Sequence, residues 1–371
     1  MNRDAALDRV ISGQTWADFC DSLKAAGAAI LRPEAPATEI DRAEGWRYLS
    51  RLTRVALEMM LEHADPDFPA FYSASHPTAK IGADNPDNLY FNATIAGDRE
   101  YRLRGARGTV PYLSFGTKAN RYATDGTMVS TGELDGKDLV LNPDGSFEIT
   151  VSAERRPGNW LPSAADTTML IVRQTFLDRF RETAATVGIE RLHGPRAPQP
   201  LSARQLDRGL MSAAAFVAGT ARTFADWAQM FRTRPNTLET VDQTLFRRAG
   251  GDPNIFYLHG YWEIAADEAL VIDTPVPECE VWNFQLDNYW MESLDYRYLP
   301  ICINKHTARY NPDGSVTFVV TASDPGVGTF IDTAGHRSGT MLLRWTGAKQ
   351  HPVPKCQVVK AASLRSPAHD T

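Results

Sequence analysis

The chain has 371 residues, four cysteines and a formal net charge of −6, with 43% hydrophobic and 23% charged residues. This length exceeds one average domain and sets two as the expectation, and the apolar share is enough to bury real cores. No run of five or six like charges occurs, which argues against nucleic acid or an anionic membrane surface as a partner.

The opening stretch, MNRDAALDRVISGQTWADFC, carries Asp4 and Asp8 and no apolar run of the kind a signal peptide needs. Nowhere does the chain approach the ~18 consecutive apolar residues of a membrane span. Cys20, Cys279, Cys302 and Cys356 lie far apart without a C-x-x-C pair, so a zinc site and a disulfide framework are both poor readings. A reduced, soluble, cytoplasmic protein is expected, with neither a cofactor nor a metal implied. Assembly into a homo-oligomer stays open.

Residues 1–75 read as a helical region. Between Arg42 and His63 the apolar residues Trp46, Leu49, Leu52, Ala56, Met59 and Met60 form one helical stripe, and Pro66 and Pro69 end it. Residues 76–192 change grammar. LYFNATI, YRLRG, VPYLSFGT, DLVLN, SFEITVSA and TMLIVRQTF are short β-branched and aromatic runs separated by Gly, Pro, Asn and Asp, the pattern of antiparallel strands. Residues 193–240 begin with the linker HGPRAPQP. An amphipathic helix follows, its apolar positions running from Leu206 through Leu210, Ala213, Val217 and Phe224 to Phe231. Strand grammar resumes in residues 241–350, and residues 351–371 form a tail expected to be only partly ordered.

The two β regions repeat each other. NPDGSFEITV begins at Asn142 and NPDGSVTFVV at Asn311, a shift of 169. At nearly the same shift Phe115 matches Phe284, DNLYFN matches NIFYLHG, and PGNWLPSAADTTMLIVRQT resembles GVGTFIDTAGHRSGTMLLRWT with two residues inserted. The collinearity implies a mainly β protein of two tandem antiparallel sandwich or jelly-roll-like units, with an N-terminal helical cap and a helix inserted between the copies. In NPDGS, Pro presets φ and Asp-Gly is expected to supply the positive-φ positions of a hairpin.

The strings VWNFQLDNYWMESLDY and NPDGSVTFVVTASDPGVGTFIDTAGHRSGTMLLRW resemble the domain of unknown function 1214 family, and IGADNPDNLYFNATI with PGNWLP resembles the leading half of its longer members. The resemblance implies tandem antiparallel sandwiches and no particular reaction. One departure stands out: the Asn-Trp pair expected before DTAGH is Thr329-Phe330 here and survives only as Asn159 and Trp160 in the first copy. That pair enters the ligand-contact candidates through the resemblance alone.

Several residue groups could carry chemistry. Strand alternation in VWNFQLDNYW sets Trp282, Phe284 and Leu286 on one face and Asn283, Gln285 and Asp287 on the other, which is either solvated or lines a wet cavity. Tyr289, Trp290, Tyr296 and Tyr298 just beyond favour a pocket wall, and Asp295 among them is a candidate general base, or else an exposed turn carboxylate. In DTAGHRSG, Asp332 could fix the tautomer of His336, with Arg344 on the following strand; the alternative is a loop whose Asp and His only bond the backbone. Tyr90 and Arg102 in the first unit mix an aromatic with a guanidinium, as an anion- or hydroxyl-bearing ligand would favour, against surface salt bridging. His259, in FYLHGYW, is either a core histidine or part of a site. G-x-S-x-G, H-E-x-x-H, Walker and EF-hand motifs are absent.

These features lead to a cofactor-independent acid–base enzyme of lyase, isomerase or hydrolase type, acting on a mid-sized, partly apolar small molecule held between the β units or under the helical cap. A non-catalytic protein that binds a small molecule or a carbohydrate is the alternative.

Overall fold

The computed structural model describes residues 5–364; Asp4 and the last seven residues of the expected tail lie outside the described residues. Five helical segments open the chain: α1 (Ala5–Ser12), α2 (Gln14–Ala26), a 3-10 turn at Gly27–Ala29, α3 (Glu39–Leu57) and a π-helical turn, Glu58–Glu62, that prolongs α3. Thr38 caps α3 by accepting from the Asp41 N–H at 3.3 Å, one of the donors a helix start leaves free. Leu49, Leu52, Ala56 and Met59 are buried as the stripe requires, whereas Trp46 is 45% exposed.

The first β unit contains β1 (Asn88–Thr94), β2 (Tyr101–Ala106), β3 (Tyr112–Arg121), β4 (Thr127–Asp135), β5 (Ser146–Ser152), β6 (Asn159–Pro162), β7 (Met169–Thr175) and β8 (Thr186–Arg191). Helix α4 (Ala203–Arg232) follows, started by a capping box between Ser202 and Gln205. After the short β9 (Thr237–Leu238) and α5 (Gln243–Arg248) comes the second unit. It comprises β10 (Ile255–Glu263), β11 (Glu268–Thr274), β12 (Val281–Leu286), β13 (Cys302–Asn304), β14 (Val316–Thr321), β15 (Thr329–Asp332), β16 (Ser338–Thr346) and β17 (Lys355–Lys360).

The copies share one topology. An inner sheet runs β1-β7-β3-β4 in the first and β10-β16-β12-β13 in the second; an outer sheet runs β6-β5-β2-β8 and β15-β14-β11-β17. All ladders are antiparallel except one parallel pair in each copy, β5 with β6 and β14 with β15. Each unit buries its own core between its two sheets, around Phe115 and Phe147 in the first and around Trp282, Phe284 and Phe318 in the second. A third core lies outside both, where residues of α2, α3 and α4 pack over the other face of the inner sheets, to which Ile171, Tyr257 and Leu342 contribute.

Three details differ from the sequence expectation. DLVLN is not a strand: a 3-10 turn at Gly136–Asp138 leads into irregular chain, and the strand lies earlier, as β4. β4 was hidden by its polar composition, TMVSTGELD. In the stretch expected as tail, β17 pairs with β11 and completes the outer sheet, carrying the unit past residue 350 to Lys360. Of the Asp-Gly pair in each hairpin, only Gly145 (φ 80) and Gly314 (φ 82) take positive φ, while Asp144 and Asp313 accept from the Ser146 and Ser315 N–H groups at 2.9 and 3.0 Å.

A Cβ at either glycine would meet open space, so backbone conformation alone demands glycine there. Gly145→Ala and Gly314→Ala should each cost about 1 kcal/mol of stability, and by similar amounts because the turns are alike. Urea-unfolding midpoints check this; a neutral change at either position would refute it.

Candidate functional site

The two inner sheets meet through contacts that occur twice. Strand pairing sets Tyr90 opposite Arg173 in the first unit and Tyr257 opposite Arg344 in the second. Each arginine reaches across to the loop entering the other unit: Arg173 Nη2 donates to the Gly250 carbonyl at 2.5 Å, and Arg344 Nη2 donates to the Ala83 carbonyl. Ala83 and Gly250 hold the same place, seven positions before their copy's tyrosine. Within each loop a backbone N–H donates to that tyrosine's hydroxyl, Asn85 to Tyr90 at 3.0 Å and Asp252 to Tyr257 at 2.8 Å.

The reciprocity extends further. Asn283 Nδ2 donates to Asn85 Oδ1 at 2.9 Å, and at the related place Ser114 Oγ donates to Asp252 Oδ2 at 2.7 Å. Asn304 Nδ2 donates to Asp87 at 3.1 Å, mirrored by Asn254 Nδ2 to Asp135 at 3.2 Å. These are the contacts of an isologous dimer, written within one chain.

A cavity of about 160 Å³ lies beside this seam. Its walls come from alternate residues of β1, β7, β10 and β16 that point away from their own sandwich cores, among them Tyr90, Asn92, Arg173, Tyr257, His259 and Arg344. Phe216, Phe224 and Trp227 of α4 and Phe246 of α5 supply aromatic surface to it. Gly82 lets Phe224 close in: its φ is +63, and a Cβ there would sit 2.4 Å from the ring.

His259 is the chemically distinctive group. It is 5% exposed, its ring stacks on Phe231 at 5.0 Å and lies 4.5 Å from Phe246, and Nδ1 is buried without a hydrogen-bond partner. Burial, then the charge of Arg344, holds its pKa well below the usual histidine range, so the imidazole is neutral. Tyr90 and Tyr257 accept from backbone N–H groups and keep their hydroxyl protons free to donate.

The structure separates the residues singled out from sequence. Tyr90, His259 and Arg344 line the cavity. Asn283 and Gln285 are fully buried at the seam rather than solvated; Gln285 holds the Asp84 carbonyl at 2.9 Å and accepts from Arg344. Asp332 and His336 do not form a dyad. Asp332 Oδ1 accepts from the Ala334 N–H at 2.7 Å, an Asx turn, while His336 Nε2 meets Glu44 at 3.2 Å and Nδ1 lies 3.9 Å from Asp41, both on α3.

Trp290 Nε1 donates to the Asp41 carbonyl at 2.9 Å and Tyr289 packs edge-on against Trp290 and Tyr261, so both anchor helices as core residues. Asp295 is tied to Arg297 by two hydrogen bonds of 2.6 and 2.8 Å, which hold its pKa down at about 2 and remove it as a base. Tyr296 stacks under Lys80. Arg102 belongs to a surface ladder with Glu148 and Glu190.

Asn159 clips the edge strand β6 to Val140, accepting from its N–H at 2.8 Å and donating to its carbonyl at 3.0 Å; Trp160 donates to Ser152. In the second copy Thr329 accepts from the Arg309 N–H at 3.1 Å, so the departure from Asn-Trp keeps the same clip. The pair is structural. Arg173 and Tyr257 escaped the sequence reading, although an arginine recurring inside the apolar strands TMLIVRQT and TMLLRWT was a usable signal.

A second, polar cavity of about 140 Å³ contains Glu44, Arg51, Lys80, Glu292 and His336. Among the described residues no group of three His, Cys, Asp or Glu could hold a metal ion, and no helix is long and apolar enough to cross a membrane.

A family model described as Protein of unknown function (DUF1214) matches residues 91–175, within the first β unit rather than the second, where the motif strings were densest. The structure is similar to that of an uncharacterised protein from Burkholderia cenocepacia, with 56% identity, coverage of 96% of this chain and 99% of that one, and a TM-score of 0.95. The VPA0106 protein from Vibrio parahaemolyticus is more distant, with 12% identity, coverage of 85% and 98%, and a TM-score of 0.47. Among curated proteins none matches.

His336 ties pH to stability. Its contacts with Asp41 and Glu44 outweigh burial and raise its pKa to about 9, above the value of 6.5 of a free histidine. A raised folded pKa contributes stability that is present in full below pH 6.5 and lost as pH climbs through 9; here that is up to roughly 3 kcal/mol. Between pH 6 and 9.5 the wild type should therefore lose stability that His336→Gln does not, measured by urea unfolding; parallel pH curves would rule this out.

Proposed function

The chain belongs to the DUF1214 family of proteins of unknown function, and we propose that it binds a small, partly apolar molecule in the cavity between its two β units. One observation carries the reading: a neutral, buried imidazole, His259, stands without a hydrogen-bond partner on the wall of an aromatic-lined hollow. Buried polar groups are ordinarily satisfied, and one left open beside a cavity is suited to a ligand's donor or acceptor. The aromatic rings of α4 would cover the apolar part of the ligand, and the tyrosine hydroxyls and Asn92 would orient its polar part.

Acid–base catalysis on the bound molecule is the second reading, and in it the role moves from His336 to His259, whose neutral imidazole faces the cavity. The burial and the Arg344 charge that lower its pKa make it a weak base until negative charge developing on a substrate offsets them. Arg344 would then stabilise negative charge developing on the substrate.

Binding is tested first with neutral aromatic probes. Benzyl alcohol at millimolar concentration should raise the melting temperature of the wild type, as any ligand selective for the folded state does. Ile171→Trp, which fills the cavity from β7, should abolish that rise while circular dichroism shows a folded protein. An equal rise in both proteins would place the probe elsewhere. If a turnover assay becomes available, His259→Gln should lower kcat by about a hundredfold or more with a smaller change in KM.

A further inference from the structure

The pseudo-two-fold relation between the copies breaks at one charged position. In the first unit the buried guanidinium of Arg173 has a counter-ion: Asp252 Oδ2 lies 3.9 Å from Nη1. The residue related to Asp252 in the other half of the seam is Asn85, and it faces Arg344 across Asn283. Arg344 is only 5% exposed, yet it makes no ion pair with any described residue. Its hydrogen bonds all go to neutral acceptors: the Ala83 carbonyl, Gln285 Oε1 and Asn283 Oδ1.

The carboxylates in its neighbourhood are held by other groups. Asp84 turns its oxygens to the Ser293 N–H at 3.1 Å and hydroxyl at 2.9 Å. Asp87 is bound by Asn304 at 3.1 Å, and Asp287 by Gln285 at 2.5 Å and Thr340 at 3.3 Å. Arg344 thus stands on the wall of a cavity as a buried cation with no carboxylate in direct contact; the charges of the buried Asp84, Asp87 and Asp287 reach it only from a distance, and a directly paired anion would complete the arrangement.

We infer that the ligand of this cavity is an organic anion with an apolar or aromatic body, whose carboxylate or equivalent group pairs with Arg344 from the cavity side and supplies the negative charge that Asp252 gives Arg173. The inference rests on the proposed reading of the cavity as a ligand site and narrows it to a chemical class. The Arg344 Nε–H, which donates to no described residue, is available to such a head group. The charge of Arg344 also reaches His259, Tyr90 and Tyr257: burial first and then Arg344 hold the His259 pKa down, while burial raises both tyrosines and Arg344 opposes that rise.

Matched probes of equal shape and different charge test this: benzoate with benzamide, phenylacetate with phenylacetamide, and 2-naphthoate with 2-naphthamide, by calorimetry on the full chain. In each pair that binds, the wild type should prefer the carboxylate about tenfold or more. Asn85→Asp supplies the missing counter-ion at an atom that already accepts from Asn283 and from the Asp87 N–H, so the fold keeps its bonds. This variant should bring carboxylate and amide to near-equal affinity, and Asp252→Asn, which frees Arg173, should widen the preference for the carboxylate. Equal affinities in the wild type, or an unchanged preference in both variants, would overturn the inference while leaving the cavity reading intact. Failure of every probe, neutral ones included, would remove the cavity reading and the inference together.

Discussion

Two guanidinium groups crossing between the copies organise the molecule. Arg173 and Arg344 sit mid-strand in the inner sheets, pointing away from their own cores, where an isolated buried charge would be prohibitively costly. Each donates to a carbonyl of the other copy's entry loop, and Arg173 lies near Asp252 of that loop as well. The inner sheets must therefore abut, with their first strands close to the seam. Abutting sheets whose central strands carry long polar side chains cannot close completely, and the space left over is the cavity. The roof follows from the same constraint, because the remaining apolar residues of these faces need cover and α4 is the long amphipathic element between the copies.

Duplication and divergence have separate roles in this arrangement. The contacts that build the frame repeat: the NPDGS turns, the edge-strand clip made by Asn159 in one copy and Thr329 in the other, and at the seam the tyrosine–loop bonds and the crossing arginines. Other residues at the seam differ between copies. Asn92 is matched in the second unit by His259, Ser114 by Asn283, and Asn85 by Asp252. A chemically one-sided cavity results from a nearly symmetric frame. His259 and Arg344, its distinctive members, both belong to the second copy.

The doubled architecture was legible in the sequence because turns and alternation are local properties. NPDGS needs only itself to form, and strands such as SFEITVSA declare a buried face within a few residues. Elements that depend on remote partners were not legible. The spacing of Asp332 and His336 suggested a dyad, but the partners of His336 lie on α3 at the other end of the chain, and no local pattern encodes that pairing. β4 and β17, with polar or half-exposed residues, lacked the apolar signature of strands. His259 and Arg344 were among the sequence candidates, but their convergence depends on the pairing of β10 with β16.

The three separate cores impose an order of assembly. The first sandwich, β1 to β8, ends at Arg191 and so can be complete while the rest of the chain is still being synthesised. The second draws its buried core from residues Leu238 to Trp345, and β17, ending at Lys360, completes its outer sheet. The helical layer has no such independence. Its earliest members, α2 and α3, emerge first yet find their packing surfaces only when α4 and the segment Tyr289–Met291 exist. The N-terminal helices thus wait longest for their partners, and the layer that roofs the cavity closes over two sandwiches whose cores need none of its residues.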